Sequence, residues 1–401
     1  MILDKINTII LPQLEEELKN ILEFWANNTL DHRNGGFVAE LNGEGELSEC
    51  TEKGAVLNTR LLWTFSAAYN FSKDAAYLKL ADRAYKYLTQ YFWDKEYGGL
   101  YWSVNTNGKV ENSRKQAYAQ GFGIYGFSEY YKASDKKESL DYAIQLFNLI
   151  EANYKDKKHG GYIEALANDW QLLDDMRLSS KDANEPKSMN THLHIIEPYT
   201  NLYRCWPDAE LKQSIQGLLK VFRDKIIDKK TFHFNLFFDV DWSVKSNIQS
   251  YGHDIEGAWL LNEAAHFIRD KELVDELQEA SLKMVDVCMN EGQDRDGSIF
   301  YEKEGGHLDT DKHWWPQAEA LVGLLDAYQN TSDTKYLKAV VDVWQFVLNN
   351  VIDKKNGEWF WKVDKNGVPD LKPPKVGFWK CPYHNSRALM EAITRIKLIS
   401  S

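Results

Sequence analysis

The stretch GAVLNTRLLWTFSAAYNF (residues 54–71), followed by DAAYLKLADRAYKYLTQYF (74–92), is the unit from which the fold is deduced. Apolar residues occupy nearly every side of the first segment, which predicts a helix buried all round. Charges on one face of the second segment predict a half-exposed helix. The same pair recurs at 115–132 with 136–154, 190–206 with 208–227, 252–269 with 271–290, and 313–330 with 333–351. A recurring unit of this kind predicts a repeat architecture.

The two ends of the chain complete the pattern. A sixth buried helix, at about 383–397, has no half-exposed partner after it, and the N-terminal helix, at about 4–27, has no buried partner before it. Pairing these two closes a ring of six inner and six outer helices, an all-α (α/α)6 barrel that forms a single domain over residues 1–401. An open solenoid also fits the repeats, but it leaves both end helices half-exposed, so we favour the closed ring.

Short Gly- or Asp-rich turns beside alternating aromatic residues precede the inner helices. They are Asn34-Gly-Gly-Phe-Val, Tyr97-Gly-Gly-Leu-Tyr-Trp, His159-Gly-Gly-Tyr-Ile, Thr231-Phe-His-Phe-Asn-Leu-Phe-Phe, Asp296-Gly-Ser-Ile-Phe-Tyr and Asn356-Gly-Glu-Trp-Phe-Trp. Such sequences are typical of small β-hairpins. All six are expected at the N-terminal ends of the inner helices, where free backbone N–H groups and the helix dipole favour developing negative charge. This rim is therefore the predicted position of the active site.

Composition and charge narrow the class of protein. The chain carries a net charge of -12 and shows no basic face, which argues against nucleic acid or an anionic membrane as a partner. It has no run of about 18 apolar residues and no signal-peptide pattern at its start. The cysteines lie far apart without paired spacing, which indicates free thiols in a reducing compartment; they are Cys50, Cys205, Cys288 and Cys381. A cytoplasmic protein is the prediction.

Histidine stands near the start of three inner helices, at His194, His253 and His384. An unperturbed imidazole titrates near pH ~6.5, so one histidine can hold a proton while another accepts one. A lone helix histidine is more often a packed core residue, but three on one predicted rim favour acid–base chemistry. Arg60, on the first inner helix, suits the stabilisation of an anion. Glu256 follows His253 by one helical turn and is expected to orient its imidazole.

Several reaction types are compatible with part of this set. Neither an HExxH metal motif nor a phosphate-binding loop is present, so we predict no metal and no cofactor. A glycoside hydrolase needs two opposed carboxylates, and Asp182, Glu256 and Glu319 keep that reading open. Paired histidines with an arginine better suit proton abstraction next to a carbonyl. One base removes the α-proton, the cation holds the enediolate, and the second histidine returns a proton.

Five segments of the chain resemble the N-acylglucosamine 2-epimerase superfamily, and most closely its cellobiose 2-epimerase branch. They are KGAVLNTRLLWTFSAAY (53–69), MNTHLHIIEPYTNLYR (189–204), SYGHDIEGAWLL (250–261), HWWPQAEALVGLLDAYQ (313–329) and FWKCPYHNSRALMEA (378–392). The resemblance covers essentially the whole chain and implies an (α/α)6 barrel, in agreement with the repeat. It also implies that the reducing-end sugar opens, loses its C2 proton and regains one on the other face. Glucose and mannose configurations then interconvert through a cis-enediolate, without metal or nucleotide.

The resemblance further implies roles for individual residues. His253 and His384 are the expected acid/base pair, and Arg60 and His194 are expected to stabilise the enediolate or bind its oxygens. The expected substrate contacts are Asn190, Glu256, Trp315, Trp379, Asp182 and Tyr118. Within that set the two tryptophans are expected to stack on sugar rings, and the aspartate is expected to lie in a loop that covers them.

The function predicted from these residues is a 2-epimerase for β-1,4-linked disaccharides such as cellobiose or lactose, acting as a monomer on a small carbohydrate. The alternatives are a monosaccharide mannose 2-epimerase or aldose–ketose isomerase, a glycoside hydrolase, and a non-catalytic sugar-binding protein. One departure from the resemblance is Pro198, which stands where a small helix former is usual. A proline removes a helix hydrogen bond, so we expect a kink in the helix below His194.

Overall fold

Six buried helices form the inner ring of the molecule. The structure, a computed structural model that describes residues 2–400, places them at Ala55–Ser72, Ala117–Ser134, Met189–Cys205, Tyr251–Ile268, Trp314–Thr331 and Tyr383–Ser400, called here the first to sixth inner helices. Each packs against the next, and the sixth packs against the first. The predicted closed ring is therefore confirmed.

Six outer helices surround this ring. They are Leu11–Asn28, Ala75–Tyr87, Lys137–Asn153, Ala209–Val221, Lys271–Val287 and Thr334–Phe346. Four of them continue into a wider π-helical turn, at Leu88–Phe92, Phe222–Ile226, Cys288–Gly292 and Val347–Val351, and the first is preceded by an α-helical turn, Ile2–Lys5, and a π-helical turn, Ile6–Ile10. The first outer helix packs on the sixth inner helix, so the two unpaired ends of the repeat meet as predicted.

Hydrogen bonds from buried indoles join the two ends of the repeat. Trp25 Nε1, on the first outer helix, donates to Glu358 Oε2 at 2.5 Å. Trp359 Nε1 donates to Glu17 Oε1 at 2.8 Å. Glu358 also accepts from the ammonium of Lys380 at 2.7 Å. We call Glu17, Trp25, Glu358 and Trp359 the seam.

The six predicted hairpins follow the outer helices, each closed by one antiparallel bridge. The bridges are Leu30–Phe37, Trp93–Leu100, Lys155–Tyr162, Ile227–Phe234, Gln293–Ile299 and Ile352–Trp359. Twelve short strands lie beyond these turns: Glu52–Gly54, Ser103–Asn105, Val110–Asn112, Lys115–Gln116, Ala165–Leu166, Lys187–Ser188, Phe237–Phe238, Ile248–Ser250, Glu302–Glu304, His307–Asp309, Lys312–His313 and Lys362–Val363. They pair only antiparallel, in two three-stranded sheets and three two-stranded ones. All of this β-structure lies on the rim where the inner helices begin.

Buried lysine–aspartate pairs fix five of the six hairpins. In each pair the aspartate lies in the turn and the lysine stands shortly before the next inner helix: Asp31–Lys53, Asp94–Lys115, Asp156–Lys187, Asp294–Lys312 and Asp353–Lys375. In the fourth repeat the pair is replaced by His233 and Asp254, whose Nδ1 and Oδ2 are 2.6 Å apart. A buried ion pair adds little net stability but fixes geometry. These pairs hold the rim in register with the ring.

The described residues form one barrel, and no helix within 2–400 is both long and apolar enough to cross a bilayer.

Candidate active site

The rim encloses a cavity of about 420 Å³ at the N-terminal ends of the inner helices. All ten side chains predicted from the sequence line it: Arg60, Tyr118, Asp182, Asn190, His194, His253, Glu256, Trp315, Trp379 and His384. A second chamber of about 260 Å³ shares part of this wall, including Leu178, Asp182, Asn190 and His253. The two spaces therefore form one cleft with two compartments.

His384 is the second residue of the sixth inner helix and is held by a carboxylate. Its Nδ1 lies 2.7 Å from Glu319 Oε1, so the Nδ1–H donates to that oxygen. This hydrogen bond fixes the tautomer and leaves Nε2 as the nitrogen that is free to exchange a proton. Burial, with the nearby charges of Arg60 and Arg387, lowers the pKa of His384 well below its ordinary value. The imidazole is therefore neutral near pH 7 and able to act as a base.

His253 has a different partner. Its Nδ1 lies 2.8 Å from Ser250 Oγ, a hydroxyl that can donate or accept. Burial lowers the pKa of His253 to about 3. The prediction that Glu256 orients this ring is wrong, because Glu256 accepts instead from Arg387 at 2.8 Å.

One indole contacts both imidazoles. The ring centre of Trp315 lies 4.6 Å from that of His253 and 5.7 Å from that of His384. The two histidines, which are 131 residues apart in the sequence (384 − 253), thus pack against the same aromatic side chain in the same cavity. Both imidazoles and the indole therefore line one space.

Arg60 also lines the cavity and lies buried among aromatic rings. It donates to the Tyr118 hydroxyl at 2.7 Å, and its guanidinium carbon lies 4.2 Å from the ring centre of Phe122 and 4.6 Å from that of Tyr383. Burial opposes its charge, yet Tyr118 and Cys381 keep the pKa of Arg60 above its ordinary value. No carboxylate among the described residues pairs with this guanidinium. Its charge is therefore available to an anionic oxygen of a bound molecule.

His194 sits at a break in the third inner helix, as the sequence predicted from Pro198. The backbone at His194 leaves the helical range, with φ −89° and ψ 15°. Its Nδ1 lies 3.1 Å from Glu197 Oε2, and its ring centre lies 5.0 Å from that of Tyr118. Burial lowers the pKa of His194.

A buried arginine that the sequence reasoning left without a role, Arg387, lies one helical turn beyond His384 and does not itself line the cavity; we call it and its carboxylate partners the floor. Arg387 donates to Glu256 Oε1 at 2.8 Å and to Glu319 Oε1 at 2.6 Å, and it also bonds Glu197 and Tyr383. Burial raises the pKa of Glu256 well above its ordinary value, and the charge of Glu319 adds to the effect. Although burial also opposes ionisation of Glu197, Arg387 and its other partners lower that pKa to about 2.

This network connects two of the cavity histidines through their carboxylate partners. Arg387 reaches His384 through Glu319 and reaches His194 through Glu197, so one guanidinium orders two of the three histidines. Its spacing of three residues after His384, one helical turn, is the signal in the sequence that could have identified it. Glu256, Glu319 and His384 are also close enough together to hold a metal ion, but the guanidinium already pairs with both carboxylates.

Two buried acceptors in the wall have no hydrogen-bond partner among the described residues. They are Asn190 Oδ1 and Glu256 Oε2. A buried oxygen without a donor is costly unless a ligand supplies one. Sugar hydroxyl groups are suitable donors, which fits the substrate contacts predicted for Asn190 and Glu256.

Aromatic residues cover the opening of the cavity. Trp361 and Tyr301 line it beside the predicted Trp315 and Trp379. His313, to which sequence reasoning assigned no role, also lines the cavity and stacks on Tyr301 with ring centres 3.8 Å apart. It stands directly before the fifth inner helix, next to the first turns that carry cavity residues in the other repeats.

Asp182 lies in the long connection 167–186, as expected for a covering segment. Its Oδ2 accepts from the backbone N–H of Ser179 at 2.7 Å, so this carboxylate also shapes its own loop. Glu256 and Glu319 do not form the opposed carboxylate pair of a glycoside hydrolase, because both bond the same guanidinium in the floor.

Comparisons with known proteins agree with this geometry. Residues 35–388 match the family model described as N-acylglucosamine 2-epimerase (GlcNAc 2-epimerase). The chain is 46% identical over 388 residues to a cellobiose 2-epimerase of Bacteroides fragilis, covering 96% of this chain and 99% of that protein. It superposes on the structure of the cellobiose 2-epimerase from Bacillus thermoamylovorans B4167 with a TM-score of 0.93 and 39% identity, covering 96% and 99% of the two chains. A D-mannose isomerase of Marinomonas mediterranea is 22% identical over 408 residues, covering 96% and 97%.

Proposed function

The chain belongs to the N-acylglucosamine 2-epimerase family, and from that membership and the cavity we propose that it is a 2-epimerase of the reducing-end sugar in β-1,4-linked disaccharides. The observation that carries the proposal is that His253 and His384 line one cavity and pack against the same indole, Trp315. Two neutral imidazoles beside an arginine suit the removal and return of a proton next to a carbonyl.

The reaction moves one proton off C2 and one proton onto it. After the sugar ring opens, one imidazole takes the C2 proton, and the electron pair of the broken C–H bond moves into the C1–C2 bond while the carbonyl oxygen becomes anionic. The enediolate charge raises the pKa of the other imidazole, which takes up a proton from solvent and gives it to the opposite face of C2 as the carbonyl re-forms. The first imidazole returns its proton to solvent, so no proton is gained or lost over the cycle.

Arg60 and His194 stabilise the charge that develops between these two steps. The guanidinium of Arg60 has no carboxylate partner among the described residues, and it meets the enediolate oxygen without losing an existing ion pair. Preorganised donors of this kind in a dry site typically lower a barrier by about 3–4 kcal/mol each. Asn190 and Glu256 accept from sugar hydroxyls and hold the open chain in place.

The relatives favour a disaccharide over a monosaccharide. The proteins at 46% and 40% identity are both named cellobiose 2-epimerase, whereas the D-mannose isomerase is only 22% identical. The cleft has two compartments of about 420 and 260 Å³, which supports binding of two sugar units. We place the reacting sugar in the compartment that holds His384 and the second sugar toward the other.

Incubation in D2O with product analysis by NMR tests the proposal. Cellobiose, lactose, glucose, mannose and N-acetylglucosamine are supplied in separate reactions. We expect deuterium at C2 of the reducing-end sugar and formation of the product with the mannose configuration there. We expect the rate to be higher with the disaccharides than with the monosaccharides. Ketose as the main product would indicate an isomerase, free glucose from cellobiose would indicate a hydrolase, and no exchange with any sugar would contradict the enzyme assignment.

Three variants locate the chemistry. His253→Ala and His384→Ala are each expected to lower C2 exchange by at least 10²-fold, because general acid–base catalysis contributes about 10²–10⁴-fold. His307→Ala is the matched control, since His307 is an exposed residue of a rim strand. If both cavity variants kept the exchange rate of the control, the acid/base pair would be wrong.

We also propose that the protein is a cytoplasmic monomer with no nucleic-acid or membrane partner. Its four cysteines are free thiols, and its net charge is -12. Light scattering coupled to size-exclusion chromatography tests the oligomeric state, and a mass of twice the 46.5 kDa chain would contradict it.

A further inference from the structure

The break in the third inner helix occurs at the residue whose ring enters the cavity. His194 has φ −89° and ψ 15°, whereas Met189–Cys205 is otherwise one continuous helix. The side chain is buried and is 2% exposed. A change of backbone angles at that residue rotates its Cα–Cβ bond, so it changes the direction in which the imidazole leaves the helix.

Pro198 provides the cause of this break. In a regular helix the N–H of residue 198 donates to the carbonyl of residue 194, but proline has no N–H and its ring collides with that carbonyl. The carbonyl oxygen of His194 is therefore released from the helix and turns outward. The same residue thus carries both the released carbonyl and the imidazole of the cavity.

Gly121, on the second inner helix, makes room for the released oxygen. A Cβ placed on Gly121 would lie 2.3 Å from the carbonyl oxygen of His194 and 3.6 Å from Cγ of Pro198. The first distance is far below a van der Waals contact. Only a hydrogen in place of a side chain allows the approach, and a Cα–H···O contact of this type is mildly attractive.

We propose that Pro198 and Gly121 act together as positioning residues for His194. Pro198 forces the break that aims the imidazole, and Gly121 accepts the carbonyl that the break displaces. The significance of this pair for turnover rests on the proposed function, whereas the coupling between the two residues does not. Neither residue touches the substrate cavity, so both act only through His194.

If Pro198 and Gly121 are coupled in this way, substituting both should be less harmful than substituting Gly121 alone. Gly121→Ala alone places a methyl group against a backbone oxygen that cannot retreat while Pro198 is present. Pro198→Ala restores the N–H, so the helix becomes regular and the oxygen withdraws along the helix axis toward residue 198. The second substitution therefore relieves the clash created by the first, and the two effects are not additive.

The experiment compares Gly121→Ala, Pro198→Ala and the double variant with the parent protein. For Pro198→Ala we expect kcat to fall about tenfold with little change in KM, because a misplacement of about 1 Å costs up to 10²-fold. Its melting temperature should stay within about 3 °C of the parent or rise, because a helix hydrogen bond is regained. For Gly121→Ala we expect about a 100-fold loss, and the double variant should recover at least tenfold of it.

Gly123→Ala is the matched control on the same helix. Its added Cβ meets only the methyl ends of Leu100 and Leu146, at 2.7 Å each, and flexible side chains can move. If Gly121→Ala had the same kcat as this control, the close approach of the His194 carbonyl oxygen to Gly121 would not matter for activity, and that part of the proposal would be wrong. A double variant no better than Gly121→Ala would overturn the coupling, and so would a Pro198→Ala variant that keeps the parent kcat or loses activity only in step with its stability.

A second readout is independent of turnover. The imidazole nitrogen resonances of His194, assigned by comparison with His194→Gln, report its hydrogen bond to Glu197. We expect them to shift in Pro198→Ala and Gly121→Ala and to remain unchanged in Gly123→Ala. If the parent protein epimerised no sugar, the proposed function would fail, yet these shifts and the stabilities would still decide whether the pair positions His194.

Discussion

The two histidines of the proposed acid/base pair have unequal partners, and this difference has chemical consequences. Glu319 holds Nδ1 of His384 at 2.7 Å, whereas Ser250 holds Nδ1 of His253 at 2.8 Å. A carboxylate stabilises an imidazolium that forms beside it, and a hydroxyl does so much less. His384 is therefore the better base of the two. It accepts the C2 proton from whichever epimer, glucose or mannose, presents that proton to its side of the sugar.

Replacing Glu319 by glutamine tests this difference between the two histidines. The amide keeps the size of the side chain and one acceptor oxygen but removes the charge that stabilises the imidazolium. We expect kcat to fall by about 10²-fold with little change in KM, because the orienting carboxylate of an imidazole base acts mainly in the transition state. Steady-state epimerisation of cellobiose, followed by NMR, measures both constants.

Glu391→Gln is the control for that experiment, because Glu391 is a carboxylate of the same helix bundle that bonds Arg395 and not the floor of the cavity. An equal loss of kcat in both variants would indicate a general effect of removing an internal charge. An effect of Glu319→Gln confined to KM would contradict the role given to Glu319.

Individual residues show where reasoning from sequence succeeds and where it stops. Eight of the ten predicted residues meet in one cavity because the repeat places the starts of their helices together, whereas Asp182 and Trp379 reach it from connecting segments. No role could be predicted for Arg387, because the sequence does not show which residues of the other helices contact a charged residue inside an apolar helix. Its carboxylate partners come from three other helices, at Glu197, Glu256 and Glu319.

The positions of the helices were predicted to within a few residues, but the π-helical form of the last turns was not. The span predicted for the second outer helix, 74–92, corresponds to Ala75–Tyr87 plus the π-helical turn Leu88–Phe92. A π-helical turn uses the same residues as an α-helical one, so hydrophobic periodicity cannot distinguish them. The lysine–aspartate pairs were missed for another reason, since only the tertiary fold brings the two residues together.

The seam between the first outer helix and the last hairpin supplies a prediction about stability. Burial raises the pKa of Glu17 to about 7, from an ordinary value of 4.5. Because the folded-state pKa is the higher one, the unfolded chain ionises first, and folding stability is lost as pH rises from about 4.5 to about 7. This loss amounts to at most about 3 kcal/mol.

Glu17→Gln is expected to abolish that loss. Glutamine retains an oxygen that accepts from Trp359 but cannot ionise, so the variant should be more stable than the parent at pH 8 and about equal at pH 4.5. Urea unfolding at the two pH values measures the difference. Glu16→Gln, on the exposed face of the same helix, is the control, and an equal gain in both variants would rule out the seam as its source.

For the whole molecule, closure of the ring predicts cooperative unfolding. An open array of repeats can lose its end units first, because each unit contacts only its neighbours. In this barrel the sixth inner helix packs on the first, and Trp25 and Trp359 lie in the seam. No end unit exists that can separate without breaking the contacts on both of its sides.

We therefore expect urea unfolding followed by tryptophan fluorescence and by far-ultraviolet circular dichroism to give one coincident transition. Trp25→Phe, which removes the hydrogen bond to Glu358, should lower the midpoint for both signals equally. Two separated transitions, or a shift in one signal alone, would show that parts of the ring unfold on their own.

The long connection 167–186 stands apart from this cooperative ring. This connection contains no helix or strand. The ion pair between Asp156 and Lys187 anchors the chain where the connection ends. Insertions or deletions there leave every inner and outer helix in place, while they change the wall that Leu178 and Asp182 give to both compartments. Changes in this one segment can thus alter the length of sugar that the cleft admits, while the histidines proposed for proton transfer keep their positions.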